Sequence, residues 1–142
     1  MNIVIHTDGG SIGNPGPSAI GIVIEWEGKK KTYAKDIGTG TNNEAEYKAL
    51  VFALRKVKAL VGSKKAKIAN IRCYADSQLM VNQLSHKYHL KNKKIINLFV
   101  DIWNLMLEFG RVEFVHVPRE ENQEADGLVR SVIGGGKQNS FF

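Results

Sequence analysis

Two apolar stretches, each stopped by an aspartate, constrain this chain more than any other feature. Residues 2–7 (NIVIHT) run straight into Asp8, and residues 68–75 (IANIRCYA) run into Asp76. Both are short, rich in β-branched residues and read as strands. If the two pair in parallel as neighbours, both carboxylates arrive at the same C-terminal edge of a sheet. Strand parity agrees, because Asp8 shares a face with His6 and Val4, and Asp76 with Tyr74 and Arg72. Ile3, Ile5, Ile71, Cys73 and Ala75 are left on the opposite, apolar face. Acids at the ends of apolar strands are costly unless something compensates them.

Parallel strands require a crossover, and the segment between them supplies it. A Gly/Pro-rich stretch at 9–17 reads as a loop, and residues 19–26 and 30–37 as two strands turning at Glu27-Gly28, an antiparallel meander. From Asn43 the period becomes helical, with Ala45, Ala49, Leu50, Ala53, Leu54, Val57 and Leu60 recurring, and Thr41, Asn42 and Asn43 suited to the N-cap. After the strand at 68–75 come a short helix at 77–84 and a longer one at 93–109 carrying Ile96, Val100, Trp103 and Leu107. A last strand is expected at 111–117 and a last helix at 120–132. The order βββαβααβα predicts an α/β fold with a five-stranded mixed sheet: strands 1–3 antiparallel, strands 1, 4 and 5 parallel, helices flanking.

With 142 residues, the chain has room for one domain, expected over 1–133, followed by a tail at 134–142 (GGGKQNSFF) without a pattern of its own. The first strand begins so near Met1 that no accessory domain is expected ahead of it. A net charge of +6 favours a polyanionic partner. The lone Cys73 excludes an internal disulfide and fits a reducing cytoplasm. No run approaches the length of a membrane helix and no signal peptide is evident, so the expectations are a cytoplasmic location, no membrane partner and a monomer.

Two further acids draw notice. Glu46 lies in the first turn of the first long helix, and Asp126 sits among Ala125, Leu128 and Val129 of the last. Each acid has an ordinary explanation: Asp76 as N-cap of the following helix, Glu46 as a partner of the helix dipole. Brought to one point, the four would repel and call for divalent cations. Oxygen ligands suit Mg²⁺ or Mn²⁺, and one cysteine with four scattered histidines argues against zinc.

Four segments, in order, carry a resemblance: Thr7-Asp8-Gly9-Gly10-Ser11 with Gly13-Asn14-Pro15-Gly16-Pro17; Thr41-Asn42-Asn43-Glu44-Ala45-Glu46; Ala75-Asp76-Ser77-Gln78; and Glu121-Asn122-Gln123-Glu124-Ala125-Asp126. Together they resemble type 1 ribonuclease H, over nearly the whole domain. The resemblance implies the ribonuclease H-like fold and hydrolysis of the RNA strand of RNA–DNA hybrids, leaving 5′-phosphate and 3′-hydroxyl ends. It implies Asp8, Glu46, Asp76 and Asp126 as catalytic acids holding two Mg²⁺ ions, with Mn²⁺ as a substitute. One ion would activate the attacking water and the other stabilise the leaving oxygen, with Asp8 bridging both. Ser11, Asn14, Asn42, Asn43 and Gln78 fall at positions that read RNA 2′-hydroxyls, and Thr41 at one that holds a DNA phosphate.

Two departures stand out. The histidine-bearing loop that many relatives place before the last acid is here the short Val117-Pro118-Arg119-Glu120-Glu121, which makes Arg119, or one of Glu120 and Glu121, the candidate for that auxiliary catalytic role in place of His116. The basic protrusion of some relatives is reduced to residues 86–94, a pattern resembling a compact archaeal and bacterial subgroup. Double-stranded RNA is a further candidate substrate, and Gln138 to Phe142 partly resemble a peptide that binds sliding clamps. A noncatalytic hybrid-binding module is the alternative, but such a module would be expected to lose an acid, and all four are present.

Overall fold

The structure, a computed structural model, describes residues 1–134; the expected tail and its clamp-binding reading lie outside the described residues. β1 (Asn2–Ser11), β2 (Gly16–Trp26) and β3 (Lys29–Gly40) form the meander. Then come α1 (Asn42–Val61), the single turn α2 (Ser63–Ala66), β4 (Asn70–Ala75), α3 (Gln78–Leu84) and α4 (Lys93–Met106). β5 (Arg111–His116), a 3₁₀ turn (Arg119–Glu121) and α5 (Gln123–Ile133) complete the fold. The sheet order is β3-β2-β1-β4-β5. β1 and β3 run antiparallel to β2, while β4 is parallel to β1 and to β5, as the sequence predicts.

α1 packs over β1 and β2 with α4 beside it, and α5 lies over β1, β2 and β3. Alternation places the two helical layers on opposite faces. Ile20 and Ile22 enter the core beneath α1, whereas Gly21 between them abuts Ala125 and Leu128 of α5. On the α1 side Ile5, Ile22, Tyr47, Leu54 and Ile102 are fully enclosed. Burial of this kind is the main source of stability.

The boundaries move for physical reasons. The stretch expected as a loop at 9–17 is mostly strand: Ser11 still pairs with Ser18, and only residues 12–15 turn. Gly9 belongs to the strand because α1 crosses it closely; a Cβ there would stand 2.3 Å from the carbonyl carbon of Ala45. At the other end, β4 starts at Asn70, since residues 67–69 are taken up by backbone bonds to α2 such as Ala69 N to Ala66 O, leaving Ile68 69% exposed. The helix expected at 120–132 is broken at Asn122. α4 is rotated from the face its sequence suggested, burying Ile95 and Ile102 while Val100, Trp103 and Leu107 face outward.

Candidate active site

The parallel register pairs Thr7 with Ala75, so Asp8 and Asp76 stand side by side where the β1–β4 pairing ends. α1 begins at a capping box in which Thr41 Oγ1 accepts from the Glu44 amide at 3.1 Å and Glu44 Oε1 accepts from the Thr41 amide at 3.4 Å. Gly9 then lets the first turns of α1 lie against β1, which delivers Glu46 next to Asp8. As a result, oxygens of Asp8, Glu46 and Asp76 all lie within 4.8 Å of one another. Asp8 and Glu46 are buried and Asp76 is half-buried.

Such a set carries concentrated negative charge, and its donors are all carboxylate oxygens, the chemistry that hard divalent cations offset. The donor set therefore fits Mg²⁺ or Mn²⁺. The ordinary explanation of Asp76 as a helix cap is overturned. α3 is capped by Ser77, whose Oγ accepts from the Met80 amide at 3.2 Å. Asp76 instead accepts from Asn122 Nδ2 at 3.4 Å.

Asn122 is a residue to which the sequence assigned no role. It is buried, and its Nδ2 also donates to the Thr7 carbonyl at 2.8 Å, tying the turn before α5 to the ends of both central strands. The only signal was a buried-polar requirement that becomes visible once the break between the 3₁₀ turn and α5 is known. Asp126 is also buried, on the first turn of α5, and pairs with Arg130 one turn on. It stands outside the three-acid cluster, although Gly21, which pairs with Asp8, abuts the Ala125 carbonyl beside it. Arg119 is exposed and shares a shallow groove of about 530 Å³ with Asp126, Gln123 and Arg130.

Three of the polar residues expected to meet substrate, Ser11, Asn42 and Asn14, form one chain. Ser11 is buried, and both its amide and its hydroxyl donate to Asn42 Oδ1, at 3.0 and 3.4 Å. The Asn42 amide donates to Asn14 Oδ1 at 2.8 Å, with Asn14 at a left-handed φ of 35° in the β1–β2 turn. Asn43 is half-buried with its Oδ1 unbonded, and Gln78 is exposed as the first residue of α3. Among the described residues no helix is long and apolar enough to cross a membrane.

Residues 6–132 match the family model described as "Reverse transcriptase-like". The chain is 33% identical over 99% of its length to the "Bifunctional protein Rv2228c" of Mycobacterium tuberculosis, of which it spans only 38%. It is 30% identical to the "Ribonuclease H" of Desulforamulus reducens, covering 89% of this chain and 84% of that one. The crystal structure of LC11-RNase H1 in complex with RNA/DNA hybrid superimposes with a TM-score of 0.84 at 39% identity, over 91% of this chain and 94% of the other. With strand order, helix placement and an Asp-Glu-Asp cluster at the ends of the central strands all in agreement, the chain belongs to the ribonuclease H family, alongside bacterial and archaeal type 1 enzymes.

Proposed function

We propose that this chain hydrolyses the RNA strand of RNA–DNA hybrids in a reaction dependent on Mg²⁺ or Mn²⁺, leaving 5′-phosphate and 3′-hydroxyl ends. The observation that carries the proposal is the convergence of Asp8, Glu46 and Asp76 to within 4.8 Å at the mouth of the central strands. These three hold the cations, with Asp126 as the fourth acid from α5. Two such ions, when bound, lower the pKa of the attacking water and stabilise charge on the leaving oxygen. Arg130, one turn along α5, is ion-paired to Asp126 and holds that carboxylate in place.

The protein's own contribution is orientation. The Ser11–Asn42–Asn14 chain holds three polar groups together, and with Asn43 and Gln78 they make a set suited to the 2′-hydroxyls of an RNA strand in the minor groove. Thr41, at the N-terminus of α1, suits a phosphate of the DNA strand. Arg119, in the groove shared with Asp126, is the candidate for assisting proton transfer or product release. The LC11 enzyme's complex with RNA/DNA hybrid supports the choice of substrate.

The test is cleavage of an end-labelled RNA strand in a hybrid with each metal, beside double-stranded RNA, single-stranded RNA and duplex DNA. The expected result is hybrid-selective, metal-dependent cutting that Asp76→Asn abolishes while hybrid binding persists. Binding without cutting in either metal would establish the noncatalytic module instead.

A further inference from the structure

A second feature of the surface has no part in this chemistry. Between β3, α1 and α4 lies a groove of about 490 Å³. Its floor is apolar, built from Ile37, Val51, Phe52 and Leu98 over the buried Ile20. Its rim carries Lys35 from β3 and Lys48, Arg55 and Lys56 from α1, against the single acid Asp101 of α4. Lys48, Phe52, Arg55 and Ala59 follow one another at helical spacing, so the rim and floor form a continuous stripe down α1. Along the helix axis Arg55 lies about 14 Å beyond Glu46, well past the acid cluster.

Two ordinary accounts fall short. Lysines guard exposed edge strands, and β3 is an edge strand, but this covers Lys35 alone and not the three cations on α1. A solvated helix face points away from apolar surface, whereas these cations surround it. None of the four takes part in the ion pairs that Lys30, Lys58, Arg72, Arg111 and Arg130 form. The region as a whole is strongly basic, with more than half of the chain's 20 lysines and arginines between residues 29 and 67.

We propose that this groove docks an acidic peptide segment bearing a large apolar side chain. Charge complementarity selects an anion, and the floor selects an apolar anchor, which a bare phosphate backbone does not offer. A single-stranded nucleic acid would use free ring faces for base stacking, and lysines already lie over those of Phe52 and Tyr33, whereas Ile37 and Leu98 of the floor carry no such cation. Here Lys35 Nζ stands 5.5 Å from the Phe52 centroid, and Lys56 Nζ stands 5.5 Å from Phe52 and 5.1 Å from Tyr33. The ammonium groups are held over the rings, where they are ready to meet carboxylates and would be displaced by a base.

The experiment follows backbone amide resonances of the intact chain during titration with three probes. One is a short peptide of Asp and Glu around a central Leu-Phe pair, the second the same peptide with Ser-Ser at its centre, and the third an oligothymidylate of matched charge. The Leu-Phe peptide is expected to shift amides around Lys35, Phe52 and Arg55. Its affinity should fall by about tenfold in Arg55→Glu/Lys56→Glu and with added salt. The Ser-Ser peptide should bind more weakly, and hybrid cleavage by the variant should be unchanged. Equal binding of the two peptides, shifts elsewhere, or preference of these residues for the oligothymidylate would overturn the proposal, the last in favour of a nucleic-acid surface. The wild-type arms decide the matter even if the variant fails to fold, and the titration reads the groove whether or not the chain cuts hybrid.

Discussion

Gly9 and Gly21 show how far two missing side chains reach into the candidate site. Gly9 admits α1 to β1, and Gly21 admits α5 to β2, where an added Cβ would stand 2.3 Å from the Ala125 carbonyl oxygen and 2.8 Å from Leu128 Cβ. Gly21→Ala is therefore expected to destabilise the protein by about 2–3 kcal/mol. Denaturant unfolding measures this, and an effect near zero would mean that α5 sits further from the sheet. His6 carries a different constraint. Its ring stacks on Tyr74 at 4.9 Å between centroids, and desolvation, only partly opposed by Glu25 and Glu124, holds its pKa below the ordinary 6.5. A folded-state pKa below the unfolded one means that the unfolded chain binds more protons in the window between them. Stability from this source is full above the ordinary value and is lost as pH falls through the folded one. His6→Phe, which keeps a ring for the stack, should flatten the part of the stability profile that lies below the ordinary imidazole value. Thermal melts would show it, and an unchanged slope would place the titrating group elsewhere. Not all of this was visible beforehand. Asp8 and Asp76 could be read because they interrupt apolar stretches, but Asn122, expected within the last helix, carried no role until its amide was seen bonded to Thr7 and Asp76.

Among the elements, β1 and β4 were legible as short β-branched apolar runs, and α1 from the helical spacing of its apolar residues. α4 was not. It is apolar around most of its circumference, with Ile95, Ile96, Leu98, Phe99, Val100, Ile102, Trp103, Leu105 and Met106 in 14 residues, so more than one stripe fits and the sequence does not choose. Packing against α1 chooses, enclosing Ile95 and Ile102 and leaving Trp103 57% and Leu107 72% exposed. Ile102→Ala should therefore cost about 2–5 kcal/mol. Leu107→Lys, at the exposed C-terminal end of the helix, should change stability by less than about 0.5 kcal/mol. The reverse ranking in urea unfolding would restore the stripe that the sequence suggested. The loop expected at 9–17 failed for a related reason. Glycine favours turns, yet Gly9 and Gly16 lie within strands and leave only residues 12–15 to turn.

At the scale of the whole molecule, the three clustered acids come from β1, α1 and the residue directly after β4 and are 38 and 30 residues apart along the chain, so only the folded state gathers them. Their mutual repulsion is then a cost of folding that a divalent cation removes, and an ion that binds the folded chain but not the unfolded one must stabilise it by mass action. A cation at a hundredfold excess over its dissociation constant contributes about 2.7 kcal/mol, a rise of several degrees in Tm for a domain of this size. Mg²⁺ or Mn²⁺ titrated into the wild-type protein should raise Tm in this way. Asp76→Asn should move in two opposite directions, melting higher than wild type without metal, because one repelling charge is gone, and gaining less when metal is added. Asp126→Asn should retain more of the metal-dependent gain, since Asp126 lies outside the cluster and is paired with Arg130. If Asp76→Asn gained as much from metal as wild type does, the stabilising ion would be bound elsewhere, and the carboxylate cluster would lose its claim to be the metal centre even if hybrid cleavage were observed.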